Sequence, residues 1–243
     1  MIRHVIWDFC RRHSGHGTKR WLKERSWFKP VAKALFGNTV YSASYYTEIA
    51  RLETASTEVM ADWVVKNLKP ARIIDVGCGG GLLLEALLKR KVAVFGVDVS
   101  DAAAAIVKAK GLPFQQFNLV TEPGPLPGVP YDLAISCEVA EHLEPVYADQ
   151  FVRKLTQAAP RVYLTAAEPK PGGYPGLQHF NEQPNEYWIE LMRQHGFQLD
   201  HAGTASARET FGKRDVICYL ARPMIFFKKP AGNSVPASAA RPV

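Results

Sequence analysis

A chain of 243 residues, 47% hydrophobic and 22% charged, has room for one large domain with its own core, and no apolar run reaches the roughly 18 residues a membrane-spanning helix needs. The formal net charge of +7 sits at the ends: residues 1–37 hold nine Lys and Arg against Asp8 and Glu24, while residues 38–221 hold 17 basic and 21 acidic residues, so the charge gives no warrant for nucleic-acid binding by the body of the chain. Cys10, Cys78, Cys137 and Cys218 follow no metal or disulfide spacing, and the N-terminus lacks the uncharged stretch of a secretory signal, so a reducing, cytoplasmic setting is expected.

Residues 1–40 form a basic segment carrying Trp7, Phe9, Trp21, Trp27 and Phe28. That mixture suits peripheral contact with an anionic membrane, a nucleic-acid backbone, or a helix docking its aromatic residues on the core; the three alternatives stay open. The folded domain is expected over residues 41–222. From Tyr41 to Leu68, apolar residues recur at helical spacing until Pro70, and Tyr45 and Tyr46 at its start either close over a ligand or pack. "ARIIDVG" is a buried strand stopped by glycine, "GLLLEALLKR" a helix, and "KVAVFGVDV" a second strand. "SDAAAAIVKAKG" is a helix with Ser100 as N-cap and Gly111 as its stop. "LPFQQFNL" and "YDLAIS" are the third and fourth strands, residues 146–158 a helix, and "RVYLTAA" the fifth strand. "PNEYWIELMRQHGF" is helical. "FQLDHAG" and "DVICYLA" then predict two late strands with no helix between them, and so an antiparallel edge hairpin. Alternation of strands and helices predicts an α/β, doubly wound, mostly parallel sheet. Residues 223–243, rich in Pro, Ala and Ser, predict a disordered tail.

The strongest chemical signal is "IIDVGCGGG". Gly77, Gly79 and Gly81, with Cys78 among them, follow a strand and precede a helix, where open α/β sheets bind ligands. Leu82 stands where a dinucleotide fingerprint wants Gly or Ala. Asp75 at the strand end would repel a pyrophosphate and attract an ammonium or sulfonium group. Asp98, followed by Val99, closes the second strand and can accept two hydrogen bonds from ribose hydroxyls. Asn118 after the third strand can reach adenine, or serve as a turn former. An adenosine with a cationic amino-acid arm fits this set, and that ligand is S-adenosyl-L-methionine (SAM).

"IIDVGCGGG…GVDVS…YDLAISCEVAEHL" resembles the class I SAM-dependent methyltransferases over roughly residues 45–220. The resemblance implies a seven-stranded Rossmann-like sheet with the donor over the C-terminal ends of strands one, two and four. "CEVAEHL" with the later "HFNEQPNEYWIELMRQHGF" is similar to a bacterial subgroup with EVAEH and HxNEQ…YW motifs. "EVAEH" also resembles the ExxEH of ubiquinone-biosynthesis O-methyltransferases and of small-RNA 3′-terminal 2′-O-methyltransferases, in which these acids and the histidine accompany a divalent metal. The chain departs from the RNA-directed group, whose double histidine is replaced here by "EHL".

Glu138, Glu141 and His142 follow strand four, where a helical turn would gather them on one side. Glu138 is placed to contact the donor. With His179, the three could hold Mg²⁺ or another divalent ion that lowers the pKa of an acceptor hydroxyl. Without metal, His142 or His179 could act as general base beside Glu141. The plain alternative is a helix start with a packed histidine. The Pro- and Gly-rich run into "QHFNEQPNEYW" predicts a lid or substrate-binding loop. Its His179, Asn181, Glu182, Tyr187 and Trp188 suit a sugar or ring-bearing acceptor, although Trp188 also fits the inner face of a core helix. The expectation is O-methylation of a saccharide or other small hydroxylated acceptor. The rivals are a methyltransferase of RNA or lipid-linked acceptors and a non-catalytic partner subunit.

Overall fold

The computed structural model describes residues 41–169 and 178–229. The chain divides into two compact units, Met1–Tyr45 and Tyr46–Val243; of the first, only residues 41–45 are described. The basic segment of residues 1–40 therefore lies outside the described residues, as does 230–243 of the C-terminal tail.

The second unit alternates helix and strand. Helix α1 (Ala43–Leu68) leads into β1 (Arg72–Val76), α2 (Leu82–Lys89), β2 (Ala93–Asp98), α3 (Asp101–Ala109), β3 (Phe114–Gln116) and β4 (Leu133–Cys137). Two 3₁₀ turns, Ala140–His142 and Pro145–Tyr147, precede α4 (Ala148–Ala158) and β5 (Arg161–Thr165). Helix α5 (Asn185–Gln194), β6 (Phe197–Leu199), α6 (His201–Lys213) and β7 (Met224–Lys228) complete the domain. The strands form one seven-stranded sheet in the order β3-β2-β1-β4-β5-β7-β6. Strands β1 to β5 pair in parallel, and β7 runs antiparallel to both β5 and β6.

Alternation along the buried strands divides the core between two faces. Ile73, Leu133, Ile135, Tyr163 and Ile225 pack with Met60, Trp63 and Val64 of α1, Leu84 and Leu87 of α2, and Phe211 of α6. Their neighbours Ile74, Val76, Ala134, Val162, Leu164 and Phe226 pack on the other face with Phe151 and Leu155 of α4 and Trp188 and Met192 of α5. Trp188 is 1% exposed, so the core alternative for this residue is the one found. Parallel strands covered on both faces make the sheet wall of a crevice where the order reverses, between β1 and β4.

The expected antiparallel pair at the sheet edge is present as β6 and β7, but a helix separates the two strands and the second lies later in the chain. "DVICYLA" forms turns, and the strand that pairs with β5 and β6 is Met224–Lys228, beyond the expected domain boundary at residue 222. Helix α6 lies between the two late strands. Its sequence carries Gly203, Thr204, Ser206, Thr210 and Gly212, all weak helix formers. Asp200 starts it by accepting a hydrogen bond from Gly203 N at 2.8 Å. Ser100 caps α3 as expected, accepting from Ala103 N.

Candidate active site

The glycine loop after β1 lies on the end of β2. Gly77 N and Cys78 N both donate to Val97 O, at 2.8 and 3.0 Å. Gly79 N donates to Asp98 Oδ2 at 2.9 Å, and Ser100 N to Asp98 Oδ1 at 2.8 Å. Each Asp98 oxygen keeps a second lone pair, so the residue fastens the loop and remains an acceptor. Gly77 has φ +80°, and a Cβ there would stand 2.3 Å from Val139 Cγ2. Gly96, which the sequence reasoning did not single out, is equally required. A Cβ on it would meet Leu84 Cδ1 at 2.6 Å and Cys78 Sγ at 2.8 Å, lifting the loop from β2. The Cys78 side chain is buried in the core and its N–H is taken by Val97, so it presents neither group to the crevice; burial pushes its thiol pKa up.

Asp75 is 4% exposed, and burial, aided by the charge of Asp98, raises its carboxyl to about 7. Asn118 Oδ1 accepts from Val120 N and Thr121 N at 2.9 and 3.2 Å. The turn-forming role is therefore real, and it uses the carboxamide oxygen, not the nitrogen. Val99 is 58% exposed, its carbonyl accepting from Gln116 Nε2.

The second cluster forms at the ends of β4 and β5. Glu138 takes φ +55°, a left-handed conformation uncommon for glutamate and characteristic of functional positions. The 3₁₀ turn at Ala140–His142 then exposes the Glu141 carbonyl, which accepts from Phe180 N at 2.7 Å and Asn181 N at 3.0 Å. That double bond of backbone groups brings the "HFNEQ" segment onto the "EVAEH" turn. The His142 and His179 rings meet edge to face with centroids 4.7 Å apart.

Both imidazoles are oriented by acceptors. His142 Nδ1 is 3.1 Å from Gln178 O and therefore carries the proton, placing its lone pair on Nε2. His179 Nδ1 is 2.6 Å from Glu182 Oε1, with the same consequence. Burial lowers the pKa of His142 and keeps it neutral. Glu182, expected among acceptor contacts, instead orients His179, the arrangement found behind metal-bound histidines.

Ligand atoms of Glu141, His142 and His179 all lie within 4.8 Å of one another. Glu138 is outside that trio, and its charge lies within electrostatic reach of Glu141. Glu138 Oε1, both oxygens of Glu141 and Thr165 Oγ1 are buried without a partner of full hydrogen-bond geometry. Burial first, and the charge of Glu138 second, push the Glu141 carboxyl up to about 8. A buried carboxyl without a hydrogen-bond partner, beside two imidazoles whose ligand atoms lie within 4.8 Å of it and of one another, fits a divalent cation.

A family model described as a methyltransferase domain matches residues 50–202. The chain belongs to this methyltransferase family. The matched span contains both clusters, and the described domain is a SAM-dependent methyltransferase domain. A ubiquinone biosynthesis O-methyltransferase of Alkalilimnicola ehrlichii is 30% identical over 130 residues, 52% of this chain and 48% of that protein. One of Roseobacter denitrificans is 25% identical over 183 residues, 71% of this chain and 63% of that protein. The chain thus spans less than two thirds of the length of either. In fold, it is similar to a 1,6-didemethyltoxoflavin-N1-methyltransferase of Burkholderia thailandensis with bound S-adenosylhomocysteine (SAH). The TM-score is 0.56, with 17% identity and coverage of 83% of this chain and 90% of that one.

Proposed function

We propose that the protein transfers the methyl group of SAM to a hydroxyl oxygen of a small acceptor, held where Glu138, Glu141, His142 and His179 converge. The observation that carries this reading is the cluster of Glu141, His142 and His179, whose ligand atoms lie within 4.8 Å of one another, with both Nδ1 atoms taken by Gln178 O and Glu182. Asp98 accepts from the ribose hydroxyls, Asn118 donates to the adenine edge, and Val99 covers the ring. Glu138, at the end of β4, faces the methionine arm and the transferable methyl.

An acceptor hydroxyl must lose its proton to attack the sulfonium methyl in line. The neutral imidazole of His142 can take that proton, and Glu182 orients the His179 ring beside it. A divalent ion such as Mg²⁺ held by Glu141, His142 and His179, with Glu138 alongside, would lower the pKa of a bound hydroxyl. The relatives are named for ubiquinone biosynthesis, which favours a phenolic hydroxyl over a saccharide hydroxyl as the acceptor.

Labelled SAM incubated with an ortho-dihydroxybenzoate and, separately, with a methyl glycoside tests this. Transfer to the phenol should stop with EDTA and return with Mg²⁺ or Mn²⁺. His142→Ala should lower turnover roughly 10²–10⁴-fold with donor affinity intact. Wild-type turnover in both His142→Ala and His179→Ala would reduce the cluster to a packed turn.

A further inference from the structure

The turn that follows β3 is held from two sides. Phe117 N donates to Asp98 O at 3.0 Å, so the chain leaves β3 beside the residue proposed for the ribose. Asn118 then folds the turn onto itself. Its Oδ1 takes Val120 N and Thr121 N, its own N–H donates to Glu122 Oε1 at 2.7 Å, and Glu122 N donates to Asn118 O at 3.1 Å. From the other side comes α4. Gln150 Nε2 donates to Leu119 O at 2.6 Å and to Val120 O at 3.1 Å. One helical turn later, Lys154 Nζ donates to Glu122 O at 2.7 Å and to Gly124 O at 2.5 Å.

Lys154 is 2% exposed, and its ammonium also stands 5.0 Å from the centre of the Phe117 ring. Both of its hydrogen-bond acceptors are backbone carbonyls. A charge buried this far is costly unless its bonds are kept, so the turn cannot leave α4 without stranding an ammonium in the interior. The carbonyls of residues 119, 120, 122 and 124 are thereby committed to α4, and the amides of 118, 120, 121 and 122 to the turn itself. The Asn118 carboxamide nitrogen takes part in neither set. It follows the C-terminal end of β3, on the side of the sheet where open α/β folds bind their ligands.

We propose that Lys154, with Gln150, positions the Asn118 side chain against the adenine of the donor. This rests on the donor reading above and adds to it the helix that fixes one of its contacts. Neither residue touches the donor. Both act through the turn, whose backbone they lock so that the carboxamide nitrogen is in place before the base arrives. A group already held loses little freedom on binding, which is how preorganisation raises affinity. Without the ammonium the turn keeps its internal bonds and loses its hold on α4, and Asn118 must then be ordered when the donor binds.

Calorimetric titration of the full 243-residue chain with SAH tests this. Lys154→Met keeps the aliphatic stem and removes the ammonium; Gln150→Glu keeps the shape and turns a carboxylate toward two carbonyls. Each should weaken SAH binding roughly tenfold, the scale of one hydrogen bond. In an Asn118→Ala background, which lacks the adenine contact, neither change should weaken SAH further. A merely structural role would lower the melting temperature and either spare SAH affinity or reduce it equally in both backgrounds. Undiminished SAH binding by either variant, or equal weakening with and without Asn118, overturns the assignment and leaves the donor site in place. If Lys154→Met does not fold, Gln150→Glu, on a half-buried residue, decides by the same two outcomes. Failure of the unaltered chain to bind SAH overturns the donor reading and this assignment with it.

Discussion

Asp98 ties Gly79 and Ser100 to β2, and in the proposed donor complex its remaining lone pairs would accept from a ribose. Asp98→Ala should weaken donor binding by about 1–3 kcal/mol, the scale of hydrogen bonds lost from a charged acceptor. Asp98→Asn should fall between, since one amide oxygen still accepts. Asp75 gives a pH dependence. Its folded carboxyl titrates at about 7 against 3.8 for the ordinary group, so folding favours the protonated form. The stability it contributes is complete below pH 4 and is lost as pH rises through 7, at about 1.4 kcal/mol per pH unit over the interval. Melting curves of the donor-free protein and of Asp75→Asn should therefore diverge between pH 4 and 7, with the variant lacking that slope. A cationic donor holds Asp75 ionised, so its binding at pH 6 should release a proton, measurable from heats in buffers of different ionisation enthalpy. The roles proposed for Asp75 and Asp98 were suggested by the glycines and strand ends that surround them in sequence. The hydrogen bond from Tyr219 to Glu53 had no such signal, because its partners meet across more than half of the chain.

At the scale of elements, β7 is the decisive late strand. It joins β5 to β6, and Ile225 and Phe226 are 1% and 0% exposed. Phe226→Ala should cost about 3–5 kcal/mol, the usual range for an aromatic residue removed from a core. Chain termination after Arg222 should abolish cooperative melting, whereas an expendable tail would leave it unchanged. The sequence concealed this strand, since "MIFFKK" runs directly into Pro, Gly and Ser. "DVICYLA" had the better β-branched pattern, yet Val216 and Leu220 are buried in the core while Tyr219 and Ile217 bond to α1. Helix α6 was missed because its composition favours turns; Asp200 as N-cap was the one local signal for it. Meeting of the "EVAEH" turn with the "HFNEQ" segment depends on two bonds to the Glu141 carbonyl, a backbone feature with no side-chain signature.

For the whole molecule, the sheet reversal between β1 and β4 sets a donor loop and a histidine–carboxylate cluster side by side. The succession of strands along the chain up to β5 followed from alternating periodicity, and the glycine loop within it suggested the proposed donor site. The acceptor is less legible, since acceptor contacts come from segments distant in sequence, and residues 170–177 lie outside the described residues. The most direct measurement is calorimetric titration of the full chain with SAM, alongside Asp98→Ala. One donor per chain, a raised melting temperature, and affinity reduced by about 1–3 kcal/mol in Asp98→Ala are the predicted results. No heat and no melting shift at millimolar SAM would contradict the assignment of this crevice as the methyl-donor site.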